Sequence, residues 1–237
     1  MFLLRKILYL LYSWFNPRFV LWRVARILQR LRGVDFLQEV KPEDVGLDSA
    51  IAYKSSPSGN RYLVRVLKDI GITEADAILD VGCGKGSAMN VMRRFPFRKV
   101  DGMEISSHIA SIAQANFSRL RVQQCGVYNC DAETFSHYGD YNMFYFYNPF
   151  PAEIMKNVIS GIIRSIPPAK NEITIIYNNP TCHDTLLDTG CFWWHGTYPD
   201  KWGHGIRVYS NYPMERSRLL HAKKMTVHCC GNDRRYA

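Results

Sequence analysis

The chain has 237 residues, of which 47% are hydrophobic and 22% are charged, and this composition excludes an intrinsically disordered protein. Its formal net charge of +9 would suit a nucleic-acid-binding protein if the charge were evenly spread. Residues 1–32, however, carry seven basic and no acidic side chains, and the rest of the chain is close to neutral. The charge distribution therefore argues against a broad basic face for nucleic acid.

The N-terminal segment predicts an amphipathic helix over residues 19–32, with Pro17 suited to its first turn and Gly33 to its end. Three basic residues recur at spacings of three and four and so share one face: Arg23, Arg26 and Arg30. Basic side chains beside Trp, Phe and Leu are typical of a helix in a membrane interface. The same pattern also suits a helix that packs on the domain or on a partner subunit.

Targeting signals and metal-site patterns are missing from the sequence. The longest uncharged run near the N-terminus, residues 7–17, is shorter than the roughly 20 residues of a membrane-spanning helix, and no small-residue cleavage site follows it. The seven cysteines form no C-x-x-C pair and no zinc spacing. The sequence therefore predicts a reduced cytoplasmic protein without a metal site, whose basic helix could contact the inner face of a membrane.

Beyond the N-terminal helix, short apolar runs alternate with helical periodicity. The predicted helices span residues 61–70, 87–94, 106–117 and 152–166. The predicted strands span residues 77–81, 99–103, 121–128, 143–147, 172–177, 206–209 and 225–230, the last two as an antiparallel pair at the sheet edge. This alternation predicts a largely parallel sheet between helices. The predicted organisation is an extension over 1–33, a connecting segment over 34–60 and one α/β domain over 61–237.

A glycine-rich loop carries the strongest functional signal. It spans Asp80–Gly86, with the sequence DVGCGKG, between a predicted strand and a predicted helix. Glycines allow a tight turn and a close approach of the backbone to a ligand. Glu104 ends the next strand, 22 residues after Gly82, where an acidic side chain can accept hydrogen bonds from ribose hydroxyls. The pattern predicts that a nucleoside-containing ligand binds at the carboxyl edge of the sheet.

Several segments resemble those of class I S-adenosylmethionine-dependent methyltransferases. ILDVGCGKG resembles their first motif and VDGMEIS their second, while Cys130-Asp131-Ala132 and Tyr147-Asn148-Pro149-Phe150 resemble the third and fourth. Three more elements match a bacterial family within this class: Tyr53–Pro57, Phe95–Arg98 and Tyr177–Pro180. The resemblance covers about residues 50–180. It implies a Rossmann-like fold with a seven-stranded, mostly parallel sheet, and S-adenosylmethionine as the cofactor.

The resemblance also implies roles for individual residues in cofactor binding. It places an aspartate and three glycines around the methionine part of the cofactor: Asp80, Gly82, Gly84 and Gly86. It places Glu104 on the ribose, Ile105 against the adenine, and Asp131 and Ala132 at the border of the adenine. Tyr53 and Ser55 would close the pocket from the preceding segment.

Tyr147 and Asn148, at the end of the fourth strand, are the candidate catalytic residues, with Asn148 facing the sulfonium and the acceptor. The rings of Tyr145 and Tyr147 could also face the sulfonium cation. Displacement at the methyl carbon mainly requires alignment and exclusion of water, but an oxygen acceptor also requires a base. Histidine titrates near neutral pH, so three histidines after the fifth strand are candidates for that base: His183, His195 and His204.

The sequence leaves the methyl acceptor open. Phe150 stands where enzymes that methylate planar amino groups have proline, which weakens the case for a nucleobase acceptor. An aromatic cluster suits either an acceptor pocket or a packed edge: Trp193, Trp194, Tyr198 and Trp202. A lipid- or envelope-related acceptor would fit the basic helix. The alternatives are a non-catalytic, membrane-associated cofactor-binding protein and a nucleic-acid methyltransferase.

Overall fold

A computed structural model describes residues 16–165 and 172–221 of the chain. Within these ranges seven strands form one sheet. They are β1 (Ala77–Val81), β2 (Lys99–Glu104), β3 (Cys125–Asn129), β4 (Met143–Tyr147), β5 (Thr174–Asn178), β6 (Trp193–Tyr198) and β7 (Ile206–Ser210). Their order across the sheet is β3-β2-β1-β4-β5-β7-β6, and β7 alone among them runs antiparallel to its neighbours.

Helices connect and flank the strands. They are α1 (Pro17–Leu31), α2 (Arg61–Ile70), α3 (Met89–Met92), α4 (Ser107–Arg119), α5 (Ala152–Ser165) and α6 (His183–Leu187). Short 3₁₀ turns span Pro42–Val45, Ala132–Thr134, Tyr138–Asp140, Met214–Arg216 and Arg218–His221. None of the helices in the described ranges is long and apolar enough to cross a bilayer.

The position of β1 determines where a ligand can bind. β1 lies between β2 and β4, and the strand order reverses there, so the connections leave the carboxyl edge in opposite directions. Such a switch point opens a crevice at the carboxyl ends of the strands. Every residue of β1 and β5 is buried, because core clusters cover both faces of the sheet. This burial explains why both strands are mostly apolar and show no alternation of apolar and polar residues.

Local signals explain the accurate helix boundaries. The Asn60 side chain accepts hydrogen bonds from the backbone N–H groups of Tyr62 and Leu63 and so begins α2. Gly71 ends that helix in the left-handed conformation, with φ of 73°. The bounds of α2, β1 and β4 agree with the sequence prediction residue for residue.

The strand pairing at the β6 edge of the sheet differs from the sequence prediction. β7 has β5 on one side and β6 on the other, so the predicted pairing of residues 206–209 with residues 225–230 is wrong, and 225–230 lie outside the described residues. The actual partner, β6, has a register shift between Trp194 and Gly196 that interrupts its alternation. β3 also begins four residues later than predicted, because Arg121 adopts a φ of 54° in the turn after α4.

Candidate functional site

The glycine-rich loop after β1 folds back over the end of β2. The backbone N–H groups of Gly82 and Cys83 both donate to the Met103 carbonyl, at 3.0 and 2.8 Å. A Cβ on Gly82 would lie 2.6 Å from Pro149 Cβ, and one on Gly84 would overlap the Ser55 hydroxyl. Glycine is therefore required at both positions, because the loop from β4 and the segment before α2 approach the backbone closely.

Glu104, at the end of β2, is held by the loop. Its carboxylate accepts hydrogen bonds from the backbone N–H groups of Gly84 and Ser106, both at 3.0 Å. Burial raises the pKa of Glu104, and these backbone donors only partly oppose that shift. A carboxylate has about four lone-pair sites, so Glu104 can accept further hydrogen bonds from a ligand.

Asp80 is buried behind the same loop. Its side chain is 2% exposed, and its Oδ2 atom has no hydrogen-bond partner among the described residues. Burial, and then the neighbouring Glu104 carboxylate, raise the pKa of Asp80 well above its usual value. A buried carboxylate oxygen without a donor is costly to the fold alone, which suggests a role in binding.

A cavity opens in front of the loop at the carboxyl edge of the sheet, with about 1040 Å³ of empty space that includes open solvent. Ten of the predicted site residues line it: Tyr53, Ser55, Gly82, Gly84, Glu104, Ile105, Asp131, Ala132, Tyr147 and Asn148. The predicted residues Asp80 and Gly86 lie elsewhere. Asp80 is behind the loop, and Gly86 faces α4, where a Cβ would lie 2.6 Å from the Phe117 ring. Gly86 thus permits helix packing and does not contact the cavity.

The end of β4 forms one wall of the cavity in a strained conformation. Asn148 has a φ of 41°, in the left-handed region that is uncommon for residues other than glycine. Its Oδ1 accepts a hydrogen bond from Thr181 Oγ1 at 2.5 Å, which fixes the direction of the amide. Asn179, after β5, has a similar φ of 52°. Strain of this kind persists only where surrounding contacts impose it, and it is frequent at functional sites.

Comparisons with known proteins agree with this geometry. Residues 78–169 match the family model described as Methyltransferase domain. No curated protein matches the chain by sequence. Among solved structures, a SAM-dependent methyltransferase from Aquifex aeolicus aligns at 15% identity with a TM-score of 0.50, covering 62% of this chain and 87% of its own. The Escherichia coli protein yhhF, described as a methyltransferase, aligns at 15% identity and a TM-score of 0.50, covering 66% of this chain and 88% of its own.

Residues 78–169 carry a methyltransferase domain of the S-adenosylmethionine-dependent type. The family match supplies the reaction class, and the structural alignments independently show the fold. The chain is accordingly an enzyme, and S-adenosylmethionine is its cofactor. Both expectations from the sequence are confirmed.

One wall of the methyltransferase cavity comes from the connecting segment, of which only Tyr53 and Ser55 were predicted to belong to the pocket. Its apolar residues line the cavity: Val40, Pro42, Val45, Leu47 and Ile51. A β-bridge between Val40 and Ser55 closes the segment into a loop, and Tyr53 N donates to Pro149 O at 3.1 Å. These residues lack helical or strand periodicity, so only their apolar character within a polar stretch could have indicated them.

Lys85, within the methyltransferase loop, has a structural role that the sequence did not reveal. Its side chain is only 5% exposed, and its Nζ pairs with Asp35 Oδ2 at 2.5 Å. The Asn116 amide joins the two segments, because its Nδ2 donates to the carbonyls of Asp35 and Lys85, at 2.8 and 3.1 Å. The segment that follows α1 is therefore bonded directly to the glycine-rich loop.

The β6–β7 loop lies beside Tyr147, a residue of the cavity wall. Tyr147 is half-buried, which raises the pKa of its hydroxyl, while a side-chain hydrogen bond with Trp202 acts in the opposite direction. The Trp202 indole can only donate, so it donates to the Tyr147 oxygen. Asp200 shapes this loop, since its Oδ1 accepts from the backbone N–H groups of Trp202 and Gly203, at 3.1 and 2.5 Å.

Several sequence-based candidates for catalysis lie away from the cavity. Tyr145 is fully buried, and its hydroxyl accepts from Asn178 Nδ2 at 3.2 Å, so its ring cannot face the cofactor. His195 bonds Ser210 Oγ at 2.8 Å at the amino edge of the sheet, and burial lowers its pKa. His183 begins α6, with its Nδ1 2.8 Å from the Tyr209 hydroxyl. Neither histidine lines the cavity.

The structure also gives the positions of the aromatic cluster and of His204. Of the aromatic cluster, Trp202 interacts with Tyr147 of the cavity wall, while Trp193, Trp194 and Tyr198 belong to β6 at the sheet edge. His204 lies in the exposed turn after Trp202. No group of three or more potential metal ligands occurs among residues 16–165 and 172–221.

Proposed function

We propose that this methyltransferase binds S-adenosylmethionine along the loop at Gly82–Gly84 and transfers its methyl group to an acceptor beside Tyr147 and Asn148. The observation that carries the proposal is the convergence on one cavity of Glu104, Asp131 and Asn148, which come from the ends of three strands and their loops. When bound, this cofactor supplies a methyl group that its sulfonium already activates.

The described residues fit such a cofactor. Glu104 would accept hydrogen bonds from the ribose hydroxyls with the lone pairs that Gly84 and Ser106 leave available. Asp131 would border the adenine, with Ile105 and Ala132 providing apolar contacts. The unpartnered Oδ2 of buried Asp80 would favour a nearby cationic amino group, which the methionine part carries.

The protein itself would contribute alignment and exclusion of water. The loop closed by the Val40–Ser55 bridge, with Tyr53 and Ser55, would cover the cofactor from the side opposite the sheet. Asn148 is fixed by Thr181 and would orient the acceptor towards the methyl carbon. Tyr147 has a raised pKa and would act as a neutral hydrogen-bonding phenol and not as a base.

We further propose that the acceptor is lipid- or envelope-related and that residues 1–32 make peripheral contact with a membrane. The support is the segregation of basic charge in those residues, beside a main body that is close to neutral. The same neutrality disfavours a nucleic-acid acceptor, which would predict steep salt dependence of binding. A non-catalytic cofactor-binding protein is the other alternative, since binding residues do not prove turnover.

Two measurements would test the proposal. Calorimetry with S-adenosylmethionine should show binding, and Glu104→Gln should weaken it about tenfold or more by removing a charged hydrogen-bond acceptor. Labelled cofactor incubated with lipid, sugar, protein and nucleic-acid fractions of a cell extract should transfer label to the lipid or envelope-sugar fraction. Absence of binding at millimolar cofactor would contradict the cofactor site, and label in nucleic acid alone would contradict the acceptor class.

A further inference from the structure

Helix α1 leaves its apolar side chains in solvent. Six of them are between 40 and 79% exposed: Val20, Leu21, Val24, Ile27, Leu28 and Leu31. We call these six residues the apolar α1 face. Exposed apolar clusters of this kind mark interaction sites on soluble proteins. The expectation that the helix packs on its own domain is therefore wrong for the part of the domain that the structure describes.

The helix separates apolar from basic side chains. At 3.6 residues per turn, three arginines fall within about 60° of one another, on an arc that begins about 40° from Ile27 of the apolar α1 face: Arg23, Arg26 and Arg30. Trp22 lies at the border of the basic side, with the Arg26 guanidinium 4.7 Å from its ring centroid. Arginines that flank an apolar face are typical of helices that lie in a membrane interface.

The helix is attached to the domain at its C-terminal end. Gln29 holds the following turn, because its Oε1 accepts from Phe36 N at 2.9 Å and its carbonyl accepts from Val34 N at 2.9 Å. Phe36 is 4% exposed and packs on Phe117, with ring centroids 5.8 Å apart. These contacts position the helix without using its apolar face.

We propose that the apolar α1 face inserts into the surface of an anionic lipid bilayer. Residues 16–34 contain five arginines and no acidic residue, so an anionic surface is complementary in charge. Each basic residue near such a surface adds to the attraction. Pairing with a second copy would bring two arginine-rich helices together without any carboxylate to compensate for their repulsion. A bilayer therefore suits this face better than self-association.

The inference rests on the membrane contact proposed above for residues 1–32, which it assigns to one face of α1, and it does not depend on methyl transfer. It also gives the enzyme a location at which a lipid-related acceptor would be available. The helix would lie along the surface, since α1 has only 15 residues and carries arginines throughout. The Asp35–Lys85 pair would then join the membrane-bound segment to the cofactor loop.

Vesicle sedimentation of the full chain would test the proposal. We expect binding to phosphatidylcholine vesicles that contain 30% phosphatidylglycerol, and much weaker binding to pure phosphatidylcholine. The double variant Leu21→Gln/Leu28→Gln should reduce the partition coefficient about 100-fold, because two leucine side chains lose their burial in the acyl region. Arg23→Gln/Arg26→Gln/Arg30→Gln should abolish the preference for phosphatidylglycerol.

The matched control is Trp193→Gln, which changes a side chain of similar exposure, 44%, at the distant β6 edge. It should bind vesicles like the wild type, and all variants should retain wild-type S-adenosylmethionine affinity, which shows that they fold. Equal vesicle binding by the leucine variant and the wild type would overturn the proposal. So would a dimer that the leucine substitutions dissociate while vesicles bind neither form. Failure of cofactor binding in the wild type would instead count against the proposed methyl transfer.

Discussion

Asp76 and Asp80 lie four residues apart, near opposite ends of β1, in opposite surroundings. At the amino edge, burial raises the pKa of Asp76, but hydrogen bonds from Asn142 and Thr73 and the Arg218 charge outweigh it and bring the pKa below its usual value. Near the carboxyl edge, burial and Glu104 raise the pKa of Asp80 well above its usual value. The first carboxylate has its acceptors filled by the protein, and the second keeps one oxygen without a donor.

This difference between Asp76 and Asp80 indicates that the amino edge of the sheet contributes to stability and that the carboxyl edge is suited to binding a ligand. At the amino edge, the Arg218 side chain donates to Asp76 at 2.8 Å, and its backbone N–H donates to Glu172 at 3.0 Å. These bonds attach the 3₁₀ turn Arg218–His221 to the amino edge of the sheet. At the carboxyl edge, the backbone is strained at Asn148 and Asn179. Unsatisfied groups and strain are stored where a ligand can compensate for them.

The largest effect is expected at the carboxyl edge. Gly84→Leu should reduce S-adenosylmethionine affinity at least about 100-fold, which corresponds to about 3 kcal/mol, because the new side chain would overlap Ser55 and fill the cavity. Calorimetry measures this change. Gly71→Leu is the matched control, since Gly71 also has a positive φ of 73° but nothing within 4 Å of an added Cβ. Equal loss of affinity in both variants would show that backbone strain alone is responsible.

A substitution at the amino edge should lower the stability of the fold and leave cofactor affinity unchanged. Asp76→Ala should lower the free energy of unfolding by about 3 kcal/mol, because it leaves Arg218 and Asn142 without their shared partner. Urea denaturation measures this loss, and cofactor affinity should stay unchanged. Asp140→Ala removes a more exposed and longer ion pair with Lys99, at 3.8 Å, and should change stability by less than about 1 kcal/mol.

Asp80→Asn should show the reverse pattern. Replacing a buried, unpartnered carboxylate by a neutral amide should leave the unfolding free energy unchanged or raise it, while S-adenosylmethionine affinity falls about tenfold. Thermal unfolding and calorimetry on the same sample separate the two effects. A loss of stability as large as that of Asp76→Ala would contradict the division between the two edges.

The pH dependence of stability should differ in sign between the two aspartates. The lowered pKa of Asp76 contributes stability at neutral pH that is lost as pH falls below 3.8, the usual aspartate value. The raised pKa of Asp80 has the opposite effect, because the folded state binds the proton more tightly and loses stability as pH rises above 3.8. Unfolding free energies measured from pH 3 to pH 8 should therefore rise less steeply with pH for Asp76→Ala than for the wild type, and more steeply for Asp80→Asn.

The smallest effect is expected at the acceptor end. Trp202→Phe removes the hydrogen bond to the Tyr147 hydroxyl, and one such bond is worth about 1 kcal/mol, or roughly fivefold in the rate of label transfer to the acceptor fraction. Cofactor affinity should not change. Trp193→Phe alters an exposed tryptophan on the same sheet edge and should leave the rate at its wild-type value. A larger loss in Trp193→Phe would place the acceptor elsewhere.

The elements that could be predicted from the sequence are those whose boundaries are marked by residues close to them in the chain. Asn60 and Gly71 mark the ends of α2 within a few residues, and β4 is recognisable as MFYFY, so these elements were predicted accurately. β6 was missed because a register shift interrupts its pattern, and its role depends on pairing with β7. Lys85 and Asp35 are 50 residues apart, and nothing in either segment indicates that they meet.

The sequence by itself determined the nucleotide-type loop at Asp80–Gly86, the acidic end of β2 at Glu104 and the segregation of positive charge in residues 1–32. Each of these is a property of neighbouring residues or of their spacing along the chain. Only the tertiary structure decided that Gly86 packs on Phe117, that His195 lies at the wrong edge to be a base, and that the apolar α1 face is exposed. The physical reason is that burial and partners depend on long-range packing, which residue spacing along the chain does not encode.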